Sequence, residues 1–345
     1  MKFVRSLTVA RSEIIEFLRL WELSKDPRVP FEYLILTPLP GLTDQSRVNT
    51  VKHYFAKRSH IIFDSGGYAV QQGIIAYEDL YQRLLSYYRE NDWADIYILP
   101  DYVPTSGLSN QEVEDRVHAT ITVARLFHAE MPASLRERAM PVVQGHTRKQ
   151  IQMCVETYME LGAKLVGFGS FGTTGVSSDI NIVTLQSIEL LTFLLDLGAK
   201  FGFRVHALGV GSPTLLHTLH QMGIYSFDSS CWLRTAGFGN VLMPFVKRRN
   251  ITGGRLRERA GHQPLTASEF QGIQQETGHT CFFCSSFEEL RNKRFYQILH
   301  NLTVIMDTVD SLNCGDYLNN PLIVQTVESN AYTHIARKVR SGLSR

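Results

Sequence analysis

Long apolar runs are missing from this chain, and none approaches the roughly 18 residues that a membrane-spanning helix needs, so a helical membrane protein is excluded. One-signed charge is missing too. Lys plus Arg number 35 against 33 Asp plus Glu, a net +2, so any nucleic-acid partner must be met by a local patch and not by bulk charge. Cysteine is scarce and odd in number: five in 345 residues do not describe a disulfide framework, and a reducing, cytoplasmic compartment fits better. The opening MKFVRSLTVARSEII interrupts every apolar run with a polar or charged residue and has no small-residue cleavage site, so no secretory signal is expected. With 44% hydrophobic and 20% charged residues, the chain has the composition of a soluble globular protein. Its length allows one large barrel or two ordinary domains.

What is present is an alternation of short β-branched or aromatic runs with longer segments of helical period, which argues for βα units and a parallel sheet. The runs are FEYLILTPLP, HIIFDSGG, DIYILPDYVP, MPVVQG, KLVGFGSF, RVHALGVG and YSFDSS, with NVLMPF from Asn240 as an eighth. Between them, Ser109 with Glu112 and Thr147 with Gln150 read as capping boxes. Ser212 before Pro213 opens a further helix that Gly223 ends. The α/β pattern suits a (β/α)8 TIM barrel, a fold of roughly 250 residues. A doubly wound open sheet is the alternative, because periodicity does not distinguish closure from openness. The expected layout is a barrel core with the catalytic site over 1–245, a basic segment with a zinc-binding subdomain over 246–310, and a C-terminal helical segment packing on the barrel over 311–345.

Four polar residues, Asp64, Asp101, Gln144 and Asp228, each end a different strand-like run, where a barrel places its active site. Singly each could be a turn or capping residue; together they point to one mouth. Asp64 and Asp228 form the kind of carboxylate pair that glycosidic-bond chemistry uses, one to attack a cationic sugar centre and one to move a proton. In FDSGGY, Gly66 and Gly67 permit a tight turn and close approach to a flat ligand, with Tyr68 placed to lie over it. His279, Cys281, Cys284 and His300 have the ligand types and Cys-x2-Cys spacing of a closed, structural Zn²⁺ site, with packing of small core residues as the alternative. Lys247, Arg248, Arg249, Arg255, Arg257 and Arg259 stand against Glu258 alone, a stretch that could follow a DNA or RNA phosphate backbone or be a solvated loop face.

Taken in order, FDSGGY, Asp101, VVQG, GFGSFG, HALGVGSP, YSFDSS and the zinc segment ending in HNL resemble the tRNA-guanine transglycosylase superfamily over about residues 31–310. The loop FDSSCWLRTAGFGN and the segment HTCFFC are more similar to its DNA-modifying DpdA branch, because the Pro-Thr-Arg element of the tRNA enzymes is absent. The resemblance implies a zinc-containing (β/α)8 glycosyltransferase that exchanges guanine in DNA for a 7-deazaguanine base such as 7-cyano-7-deazaguanine. It implies protection of phage or bacterial DNA from restriction enzymes. By position it makes Asp228 the nucleophile and Asp64 the general acid/base. Asp101 and Gln144 become readers of the purine edge, Ser170 and Phe171 sources of backbone groups, Tyr68 the stacking ring, and Leu208 and Gly209 the pocket floor. Ser170 stands where the family has glycine, and His279 where it has a cysteine ligand. A tRNA transglycosylase and a non-catalytic nucleic-acid-binding subunit are the rival readings. A homodimer and accessory DNA-processing proteins stay open as partners.

Overall fold

The computed structural model describes residues 1–174, 180–253 and 263–343. Its strands are β1 (Lys2–Ser6), β2 (Tyr33–Leu36), β3 (His60–Phe63), β4 (Ile96–Ile98), β5 (Ala139–Met140), β6 (Val142–Val143), β7 (Leu165–Phe168), β8 (Gly172–Thr174), β9 (Ile180–Ile182), β10 (Arg204–Ala207), β11 (Ser226–Ser229), β12 (Asn240–Met243) and β13 (Val246–Asn250). Nine of them form one sheet in the order β5-β4-β3-β2-β1-β11-β10-β7-β6, parallel at every pairing. Its two edge strands are separated only by Pro141, which has no N–H to give; its carbonyl accepts from Gly167 N at 2.9 Å. Thus β5 and β6 act as one strand bent at Pro141, pairing with β4 on one side and β7 on the other. The result is a nearly closed eight-stranded α/β barrel.

Period-2 alternation divides each strand between two layers. Val4, Ile35, Ile62, Ile98, Met140 and Val142 fill the barrel interior. Their neighbours, such as Phe3, Leu34, Ile61, Phe63 and Phe227, face the helices. The capping signals lie where the sequence places them: Ser109 and Glu112 cap Asn110–Glu130, Thr147 and Gln150 cap Arg148–Glu160, and Gly223, at φ +88°, ends Pro213–Met222.

The eighth strand differs from expectation. NVLMPF lies outside the barrel, where β12 pairs antiparallel with β13. The barrel strand is instead β1, inserted between β2 and β11. Its sequence KFVRS carries two cations, which hides a buried parallel strand from a pattern search. The fold accommodates Arg5 by letting its Nη1 donate to the Phe3 carbonyl at 2.7 Å while the guanidinium lies over the Phe3 ring.

The β12–β13 hairpin straddles position 245, and the long helix Arg294–Cys314 runs through position 310. The helix Ala331–Leu343 packs on Leu185–Phe201 and Pro213–Met222. Among the described residues no helix is long and apolar enough to cross a membrane. Asn301, fully buried, ties the long helix to the rest: it accepts from Leu242 N at 2.7 Å and donates to the carbonyls of Trp232 and Asn240 at 3.2 and 3.3 Å. Asn301→Leu should therefore lower stability by roughly 3–5 kcal/mol, because it strands one buried donor and two acceptors. Urea midpoints of the two proteins measure this, and equal midpoints would refute the assigned role.

Candidate active site

A cleft of about 790 Å³ opens at the C-terminal ends of the strands, and every barrel strand supplies part of its lining. Ser6 ends β1, Thr37 follows β2, Asp64 follows β3, and Asp101 lies just beyond β4. Gln144 follows β6, Gly169 follows β7, Leu208 and Gly209 follow β10, and Asp228 lies on β11. Asp64, Asp101, Gln144 and Asp228 are therefore brought together.

Asp228 points inward because alternation turns Phe227 outward, where it stacks on Phe3 with ring centroids 5.3 Å apart. Three groups hold the Asp228 carboxylate. Gly209 N–H donates to Oδ1 at 2.8 Å, Ser6 O–H donates to Oδ2 at 2.8 Å, and His206 Nε2 lies 3.3 Å from Oδ1. The other ring nitrogen of the fully buried His206, Nδ1, is 2.8 Å from Ser226 Oγ. Ser6 and Thr37 were not singled out from the sequence; as polar residues ending strands, they carried the same signal as Asp64. His206 was quoted only within a motif.

Asp64 accepts from Thr37 O–H at 2.7 Å. Desolvation in the cleft raises its pKa, the negative charge of Asp228 adds to that, and the Thr37 hydrogen bond opposes it. The Asp101 carboxyl is pushed up to about 6, mainly by burial and further by the charge of Asp64, against hydrogen bonds from Gln144 and Ser65. Those bonds are Ser65 O–H to Oδ1 at 3.1 Å and Gln144 Nε2 to Oδ2 at 2.7 Å. The two glycines of FDSGGY have separate reasons. Gly66 adopts φ +86°, and a Cβ on Gly67 would lie 2.9 Å from Asp101 Oδ1.

Tyr68 lines the cleft and is 54% exposed, so its ring is available at the mouth. Phe171 is buried in the core against Phe168, away from the cleft. Ser170 is also buried, with its side chain turned toward Gln144. Arg47 and Arg234 bring positive charge to the cleft lining. Of the basic segment, Lys247, Arg248 and Arg249 are exposed on β13, and the charge of Arg248 is felt at the Cys231 thiol, just past Asp228. Arg255, Arg257 and Arg259 lie outside the described residues.

Away from the cleft, potential ligand atoms of His279, Cys281, Cys284 and His300 lie within 4.8 Å of one another. The two sulfurs are 3.4 Å apart, and Cys281 Sγ is 3.5 Å from His300 Nδ1. A tetrahedral ion with bonds of about 2.0–2.3 Å fits inside such a group. Each histidine has one nitrogen engaged elsewhere: His279 Nδ1 with Asp307 at 2.8 Å, and His300 Nε2 with the Leu242 carbonyl at 3.0 Å. That leaves His279 Nε2 buried with no hydrogen-bond partner, as expected of an atom reserved for a metal.

Fold and site together define an α/β barrel with a carboxyl-lined cleft at the C-terminal ends of its strands and a Cys/His cluster able to hold a metal. The queuine tRNA-ribosyltransferase (TGT) family matches residues 88–311, well over half of the chain, and the protein belongs to that family. The matched span includes Asp101, Gln144, Asp228 and the Cys/His cluster, while Asp64 and Tyr68 precede it. A search of curated proteins finds no match.

Two outcomes follow. Between pH ~4, where an unfolded aspartate titrates, and pH ~6, folded Asp101 retains a proton that the unfolded chain has lost, so this group lowers stability as pH rises through that window. Relative to wild type, Asp101→Asn should gain up to roughly 3 kcal/mol between pH 4 and 7 by urea unfolding; a flat difference would contradict the raised carboxyl. For the cluster, adding Zn²⁺ to chelator-stripped protein should raise its melting temperature. The same addition should leave a Cys281→Ser/Cys284→Ser protein unchanged.

Proposed function

We propose that this protein exchanges guanine in DNA for a 7-deazaguanine base, with 7-cyano-7-deazaguanine as a representative substrate. The observation that carries this reading is the meeting of Asp64 and Asp228 in one cleft whose inner wall is the hydrogen-bonded pair Asp101 and Gln144. The carboxylate oxygen of Asp228 bonds to C1′ of the sugar as the bond from C1′ to guanine N9 breaks and its electron pair leaves with the base. Asp64, whose raised pKa favours the protonated form, gives its proton to the departing guanine. The incoming base then loses its N9 proton to Asp64, its N9 attacks C1′, and the Asp228 carboxylate is released. Ser6 and the Gly209 N–H orient the nucleophile throughout.

Asp101 accepts from the N1 and N2 hydrogens of guanine, Gln144 donates to O6, and Tyr68 stacks on the ring. His279, Cys281, Cys284 and His300 would hold a structural Zn²⁺, and a site with four protein ligands would leave no open position for substrate. Its place beside the β12–β13 hairpin supports the exposed Lys247, Arg248 and Arg249 as contacts to phosphates. The choice of DNA rests on the loop after Asp228, which lacks the Pro-Thr-Arg element. It also rests on the easier ionisation of a deoxyribosyl bond, which has no electron-withdrawing 2′-hydroxyl. A duplex base must first be extruded, at a cost of a few kcal/mol. The modified DNA would resist restriction enzymes. The family's name favours tRNA as the second reading.

Purified protein given 7-cyano-7-deazaguanine with either guanine-labelled DNA or tRNA should release guanine from DNA. Asp228→Asn should reduce release at least about 10³-fold, the scale expected when a covalent nucleophile is removed. Release from tRNA alone would establish the rival substrate, and undiminished release by Asp228→Asn would refute the nucleophile.

A further inference from the structure

The hydrogen bonds around Gln144 run in one direction. Gly145 N–H donates to Ser170 Oγ at 2.6 Å, and a backbone amide has no other role available. Ser170 therefore directs its own hydrogen to Gln144 Oε1, 3.1 Å away. With Oε1 engaged as acceptor, the amide presents Nε2 to Asp101 Oδ2 at 2.7 Å, while Ser65 O–H fills Oδ1. Ser170, Gln144 and Asp101 are all buried, so no bulk water replaces a lost partner. Gly169 provides the space: a Cβ there would lie 2.4 Å from Gln144 Nε2.

We propose that Ser170 is a positioning residue that locks the donor face of Gln144, so that the cleft reads a purine with an oxygen at position 6 and rejects one with an amino group there. The inference rests on the cleft being a purine site, as proposed above. Two anchors hold the amide, Asp101 at one end and Ser170 at the other. The Asp101 anchor depends on charge: an ionised carboxylate can only accept from Nε2, whereas a protonated one can donate to a flipped amide. With a base bound, the single O–H of a protonated Asp101 turns from the flipped amide to ring N1, and the flipped Gln144 oxygen accepts from a 6-amino group, the pattern of 2,6-diaminopurine. Ser170 is the anchor that does not titrate. Of the other groups near this pair, Asp64 remains charged or neutral without touching the amide, and burial pushes the Tyr77 and Tyr158 hydroxyls and the Cys154 thiol up, so these three stay neutral.

The test is binding of free guanine and free 2,6-diaminopurine to the full chain at pH 5.5 and pH 8, by calorimetry. Wild type should prefer guanine by about 100-fold or more at both pH values. Ser170→Ala should keep that preference at pH 8 but fall to within about 10-fold at pH 5.5, where loss of one oriented hydrogen bond frees the amide. Ser170→Thr, which retains the hydroxyl, should restore the preference. Ser170→Gly provides a second deletion if the alanine variant does not fold. A packing defect would weaken both bases alike, so an unchanged ratio at pH 5.5 in folded Ser170→Ala or Ser170→Gly overturns the role of Ser170. Failure of wild type to bind guanine would instead overturn the purine reading of the cleft.

Discussion

The pairing of β1 with β11 is the constraint on which the mouth of the barrel depends. It sets Val4 opposite Asp228 and stacks Phe3 on Phe227, so the aromatic pair faces the helices and the carboxylate faces the axis. A slip of one residue would exchange those faces, burying Asp228 among apolar side chains and turning Phe227 inward. The same pairing brings Ser6 within hydrogen-bond reach of Asp228, and β10, paired on the other side, adds Gly209 and His206.

Around Asp228 the cleft gathers further carboxyl groups, and the structure manages them by unequal surroundings. Asp228 has three polar neighbours, Asp64 has Thr37 and the backbone of its glycine turn, and Asp101 is the most enclosed, held by Ser65 and Gln144. Burial raises the proton affinity of Asp64 and of Asp101, which is how neighbouring carboxyl groups come to play different parts. The Cys/His cluster contributes at a distance. It pins the β12–β13 hairpin through the Leu242 carbonyl, and Asn301, one residue after His300, binds the same strand.

Much of this was legible in the sequence. Strand-end Asp64, Asp101, Gln144 and Asp228 carried a positional signal, and the Cys-x2-Cys spacing with its flanking histidines carried a chemical one. Capping boxes at Ser109 and Thr147 marked helix starts, since the bonds that make them are local. The missed strand β1 was hidden by Lys2 and Arg5, whose charges look wrong for a buried parallel strand until Arg5 is seen folded onto Phe3. NVLMPF looked like a barrel strand because apolar composition does not distinguish a barrel partner from the strand of a small hairpin.

The sequence by itself determined the α/β alternation, the local caps and turns, and the residue types available for acid, base and metal chemistry, because these depend on neighbours a few positions apart. Only the tertiary structure decided which polar residues share a hydrogen bond. Ser6 meets Asp228 from the far end of the chain, and Ser170 turns its hydroxyl onto Gln144 and away from the cleft. Such contacts arise from barrel closure through Pro141 and from strand register, which sum many weak packing choices along the whole chain.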